Sequence, residues 1–151
     1  MKALGEVLRP DCIRIPRSVV SLVEGVNADF IYGGVQIDSY FYEFTGIRKP
    51  RLLTESRAFD RVDFSAVDRD ICETTIRLPA LVDSTGNALR FTPIVDLCPG
   101  VTFYSTDSLM PPVVLPLDEP VQVTRGGHID VSLRFRYSTD WKVVTAFAEP
   151  A

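Results

Sequence analysis

Ten residues near the C-terminus constrain this chain more than any others. In HIDVSLRFRY, Ile129, Val131, Leu133, Phe135 and Tyr137 alternate with His128, Asp130, Ser132, Arg134 and Arg136. A strict period of two puts the first set on one face of a β-strand and the second on the other, apolar toward a core and polar toward water. Ser138, Thr139 and Asp140 then turn the chain into WKVVTAF, which predicts a terminal hairpin with a three-residue connection. Trp141 opens the return strand, where a large aromatic is expected as a cross-strand packing partner or core residue.

The rest of the chain reads in the same manner. Short alternating runs such as IRIPRSVVSLVEGV, RVDFSAV, CETTIRLPALVD, ALRFTPIVDL, VTFYST, PVVLPL and VQVT are separated by turn signals, among them YGG at 32 to 34, DSTGN at 83 to 87, CPG at 98 to 100, DEP at 118 to 120 and RGG at 125 to 127. That rhythm predicts a mainly all-β fold, one antiparallel barrel or sandwich spanning residues 1–151, with residues 1–12 as a lead-in. Pro16, Pro79 and Pro93 fall inside runs and are expected at edges, bends or bulges, because proline cannot donate to a ladder. One stretch breaks the pattern. Ile37, Tyr40, Phe41 and Phe44 recur at i, i+3, i+4 and i+7, which predicts a helical arm over 34–46 with Gly46 ending it.

A length of 151 residues suits one domain burying roughly 68–70 % of its unfolded surface. A net charge of -4 without a Lys/Arg stripe excludes a phosphate-binding surface, so nucleic acid is not expected as a partner. No apolar run approaches the ~20 residues of a spanning helix, and the first eleven residues lack the apolar centre of a secretory signal. No membrane contact and a cytoplasmic location are therefore expected. Cys12, Cys72 and Cys98 are odd in number and far apart, so they are expected as buried free thiols, neither a disulfide framework nor a zinc site.

The single histidine stands beside an aspartate and a serine, but Ser132 lies about 13 Å from His128 along the strand, too far for a nucleophile and its base. His128 is expected as a solvated residue at a strand start. The dinucleotide, P-loop, zincin and nucleophile-elbow motifs are all missing, and no metal site or cofactor is expected. Asp38 with Glu43, or Asp60, Asp63 and Asp68, could form acid/base pairs; solvation on polar faces is the expectation for them.

GEVLRPDCIRIPRSVVSLVEGV resembles the junction where the donor-binding domain of protein arginine methyltransferase-like S-adenosylmethionine-dependent methyltransferases passes into its C-terminal barrel, with Leu8, Arg9, Pro10, Ile15 and Pro16 in the corresponding places. FTPIVDLCPGVTFYSTDS is similar to that barrel's strand pair ending in Tyr104, Ser105 and Thr106, and VVLPLDEPVQVTRGGHIDVSLRF to its following run, with Gly127 and His128 where Gly-Asp is usual. The resemblance implies a barrel without its donor-binding domain, interrupted by a helical arm that mediates dimer contacts. It also implies that this chain is not a complete methyltransferase, since the glycine-rich loop, the acidic ribose contact and the paired glutamates belong to the preceding domain. The family's Thr-His-Trp segment is absent, and Leu109, Met110, Pro111 and Pro112 stand there. Arginine as methyl acceptor is accordingly not implied.

Three functions remain open. One is a non-catalytic substrate-binding and dimerisation barrel, a homodimer or the partner of a separate catalytic methyltransferase chain. Another is a small cyclase or isomerase of natural-product biosynthesis that shapes an apolar ligand, with Tyr42, Tyr104, Arg134, Tyr137 and Trp141 lining its lumen and Arg134 polarising a carbonyl. The third is an interaction protein with a filled barrel.

Overall fold

The computed structural model describes residues 12–37, 39–47, 49–66, 69–105 and 110–151. They form twelve strands: β1 Ser18–Asn27, β2 Ile31–Tyr32, β3 Val35–Gln36, β4 Phe41–Tyr42, β5 Arg51–Leu52, β6 Arg57–Asp63, β7 Ile71–Pro79, β8 Ser84–Cys98, β9 Val101–Tyr104, β10 Val113–Val123, β11 His128–Arg136 and β12 Thr145–Pro150, with one 3₁₀ turn, Trp141–Val143. A large antiparallel sheet runs β4-β10-β8-β1-β5, with β6 also pairing β1 and β9 also pairing β8, and a second sheet runs β12-β11-β7. The two sheets join through a bridge between Thr54 and Ala80. There the Leu81 N–H donates to the Leu53 carbonyl at 2.8 Å and the Glu55 N–H to the Pro79 carbonyl at 2.9 Å. With β10 against β12 and β6 against β7, the sheets curl into a barrel-like body.

The alternating strand is β11. Ile129, Val131 and Leu133 are fully buried and pack with Val23, Leu78 and Leu89 between the sheets. Each burial contributes about 1.5–3 kcal/mol. A one-residue slip against β7 would turn all three to solvent, so the pairing of Val131 with Ile76 is strongly specified. Alternation along β1 and β8 sends Val26, Ala28 and Ala88 to the opposite face, where they form a second cluster with Phe30 and Val114, covered by Phe41.

The expected helical arm over 34–46 is not helical. Gly33 and Gly34, with φ of 57° and 83°, turn β2 into β3. Phe41 and Tyr42 then pair with Val114 and Val113 of β10 as an edge strand. Two short strands separated by a bend mimic helical spacing, and Gly46 (φ 91°) sits in a turn. Asp38 and most of the 1–12 lead-in lie outside the described residues.

Two turn signals also resolve differently. DSTGN belongs largely to β8, where Gly86 lets Val121 and Leu53 approach: a Cβ there would meet them at 3.3 and 3.4 Å. DEP lies within β10, at a register shift between Pro116 and Val121. Pro93 sits in β8 just where its outer neighbour changes. β10 leaves at Phe91 and β9 arrives at Ile94, so no ladder on that side needs the missing donor. Trp141 is in the 3₁₀ turn rather than the return strand, because the Asp140 carboxylate accepts from the Lys142 N–H at 2.9 Å and caps the turn.

At Gly25 the β1 backbone lies close against Ile129 of the second sheet and Thr54. An added Cβ would stand 3.0 Å from Ile129 Cδ1 and 3.1 Å from Thr54 Cγ2. The Gly25 N–H also donates to Thr54 Oγ1 at 2.8 Å, which fixes the strand in place. Gly25→Ala should therefore lower stability by about 1–3 kcal/mol through overpacking, measured as a lower denaturant midpoint at unchanged slope.

Candidate functional site

The open end of the body, where β8 changes neighbours, holds a cavity of about 430 Å³. Seven rings line it: Tyr42 from β4, Phe59 from β6, Phe64 just after β6, Phe91 from β8, Phe135 at the end of β11, and Tyr137 and Trp141 from the loop that follows. Five of them form a continuous arc. Trp141 lies 5.0 Å from Phe91, Phe91 5.7 Å from Phe59, Phe59 6.3 Å from Phe135, and Phe135 5.6 Å from Tyr137, centroid to centroid. All but the tilted first pair meet edge to face, the favoured aromatic geometry.

One polar cluster interrupts this wall. Ser21 pairs with Asp60 and Leu22 with Ala58, so Phe59 is an extra residue, a β-bulge in β6. The bulge brings Asp60 to the cavity alongside its neighbour Phe59, which strict alternation would forbid. The Asp60 side chain is only 3 % exposed, so its charge needs partners. Arg69 binds Oδ1, and the Tyr137 hydroxyl donates to Oδ2 at 2.8 Å. The guanidinium also lies 5.8 Å from the centroid of the Tyr137 ring. Burial, then the hydrogen bond to Asp60 and its charge, push the Tyr137 phenol well above its ordinary 10.0. Burial likewise raises the Cys72 thiol, with Asp60 adding to it. Cys72 is a buried free thiol as expected, whereas Cys12 and Cys98, expected to be buried too, are free but partly exposed.

A second ion cluster lies on the opposite face of the large sheet. Arg90 of β8 reaches Glu43 with Nε at 2.7 Å and Nη2 at 3.3 Å, and binds Glu24 through Nη1. Both glutamates are buried. Glu43 and Asp60, expected as solvated carboxylates, are thus interior groups committed to arginines.

Of the residues expected to line a lumen, Tyr42, Tyr137 and Trp141 meet at this cavity, and Tyr104 and Arg134 do not. Tyr104 ends β9 and is 65 % exposed. Arg134 falls on the polar face of β11 by the same alternation that sends Leu133 inward, and its Nε stands 3.8 Å from Glu73. His128 is exposed. Its neighbours are engaged elsewhere: Asp130 takes a two-point contact from Arg77 at 2.9 and 2.8 Å, which holds its carboxyl below the ordinary 3.8, and Ser132 Oγ lies 3.0 Å from Thr75 Oγ1. Sequence reading missed the Asp60–Tyr137–Arg69 cluster, whose members β6, β11 and the β6–β7 connection bring together.

Among the described residues no group of three His, Cys, Asp or Glu side chains could hold a metal, and no helix is long and apolar enough to cross a membrane. Nor do they fit a nucleoside-based methyl donor. The positive-φ glycines, Gly33, Gly34, Gly46, Gly100 and Gly126, all sit in open turns and none opens a helix that could cradle such a ligand.

Tyr137→Phe removes a donor from a buried carboxylate and should cost about 1–3 kcal/mol at neutral pH. Because the folded phenol ionises above 10.0 and the unfolded one near it, the stabilising contribution of Tyr137 is complete below pH 10 and is lost as pH climbs through the folded value. Chemical denaturation between pH 8 and 11 should show that loss in the parent and not in the variant.

No family model matches the chain, and no curated protein sequence does. Among solved structures it matches a chain of the Trypanosoma brucei PRMT1 enzyme-prozyme heterotetrameric complex with AdoHcy, at 13 % identity and a TM-score of 0.66. The match covers 99 % of this chain and 62 % of that one. The chain thus shares the fold of part of a chain in that complex, and it spans 62 % of that chain's length.

Proposed function

We propose that this chain is a non-catalytic barrel module of a methyltransferase-like system, acting in the cytoplasm by docking on a second copy of itself or on a separate catalytic methyltransferase chain. The observation that carries the reading is the β2–β3 hairpin. Ile31, Tyr32 and Val35 are 58, 43 and 63 % exposed, and Ile37, Tyr42 and Phe44, further along the same stretch of chain, are exposed as well. A cluster of this kind on one projecting edge is the mark of an interaction surface. The PRMT1 relative, an enzyme paired with a prozyme, gives such docking a precedent.

The aromatic cavity supports a second role, binding a small apolar ligand. Its volume of about 430 Å³ is within the range of small-molecule sites, roughly 300–1,000 Å³. Catalysis by proton transfer is a poor fit to it. Asp60 has both oxygens engaged and Tyr137 holds its proton tightly. Any turnover of a bound ligand would come from confining its shape.

Sedimentation equilibrium reads the docking proposal directly. The 16.8 kDa chain should sediment at twice its mass, or form a one-to-one complex with a donor-binding methyltransferase domain. Replacing Ile31 with Lys and Val35 with Glu should abolish either association while the melting temperature stays within a few degrees. A parent protein that stays monomeric and ignores the donor-binding domain, or a double variant that associates as before, would sink the proposal.

A further inference from the structure

We propose that the cavity receives an uncharged, flat, unsaturated molecule of two or three fused rings. This rests on the reading of the cavity as a small-molecule site and adds the class of ligand.

Charge decides first. No lysine, arginine or histidine is among the described residues that line the cavity, so an anion would lose its hydration without a counter-charge. The lining acid, Asp60, has Oδ1 on Arg69 and Oδ2 on Tyr137. Arg69 in turn donates to the Arg61 carbonyl at 3.0 Å, which holds the pair in place. A cation drawn to Asp60 would have to break that arrangement, leaving a buried charge unpaired, so the lining offers a charged ligand no free counter-charge and we take the ligand as neutral.

The walls then set the shape. Phe59 stands at 79° to Phe91 and 80° to Phe135, and Phe135 at 81° to Tyr137. Successive rings in such an arc stand nearly perpendicular to one another, an arrangement that a further aromatic ring can extend by the same edge-to-face packing. Size follows from volume. An apolar cavity of about 150 Å³ accommodates benzene, and about 430 Å³ therefore has room for roughly two or three rings. Four of the rings, Tyr42, Phe59, Phe91 and Phe135, project from β4, β6, β8 and β11, so much of the site is formed before a ligand arrives.

A matched pair of probes tests the charge rule with shape held constant. N-phenyl-1-naphthylamine and 8-anilinonaphthalene-1-sulfonate share one ring system and differ by a sulfonate. Trp141, the one tryptophan, lines the cavity, so energy transfer from it to the probe reports occupancy there. The neutral probe should saturate at one per chain and bind about tenfold or more tighter than the sulfonate. Ser21→Phe and Val62→Phe each fill the cavity and should weaken the neutral probe by a similar factor with melting preserved, whereas Ile31→Lys should leave it unchanged. Equal affinity for the two probes would overturn the ligand class and leave the small-molecule site standing. Absence of binding, or binding indifferent to both filling substitutions, would overturn the site itself. Should neither filled variant fold, the ratio between the probes still decides the class.

Discussion

The hydrogen-bond ladder along β8 is the constraint on which the rest of the molecule depends. Its fifteen residues pair with β1 along one edge and with β10 and then β9 along the other. Leu89 and Phe91 point from it into the main core, and Ala88 and Arg90 to the other face. A strand so placed fixes two apolar clusters at once, and a shift in its register would expose one while misplacing the partners of Arg90. The cavity is a by-product of the same ladder, since it opens at Thr92 and Pro93, where neither outer strand is present.

The two arginine clusters on buried carboxylates fix positions more than they add stability, because desolvating the carboxylates offsets most of the attraction. Arg90 ties the segment that follows β4 to the large sheet through Glu43, and Arg69 ties the β6–β7 connection to the bulge through Asp60. Each links parts of the chain that apolar contact alone would let slide. Removing either guanidinium would strand a buried carboxylate, a far larger penalty than the pair's net contribution.

Much of the fold was legible because period-two alternation reports directly on which side chain faces inward. HIDVSLRFRY became β11 with its apolar face buried, and the same reasoning brought Tyr137 to the cavity. It also shows why Arg134 could not be there, since alternation places it opposite to Leu133. Periodicity failed where strands were too short to carry it: a bend and the two-residue strand β4 reproduced helical spacing between Ile37 and Phe44. The Asp60 cluster was illegible for another reason. A bulge violates alternation by construction, and Asp60 finds Tyr137 at a separation of 77 residues. DSTGN and DEP misled because residues that favour turns also serve close approach and bulging inside long strands.

Tyr42 belongs to two surfaces. Its ring forms part of the cavity wall, and it also stands 5.8 Å from Tyr40 and 6.1 Å from Phe44 in a short aromatic row. A side chain shared in this way makes the two surfaces thermodynamically reciprocal: whatever free energy occupancy of one lends to the other is returned in equal measure. A substitution at this one ring would therefore be felt on both surfaces at once.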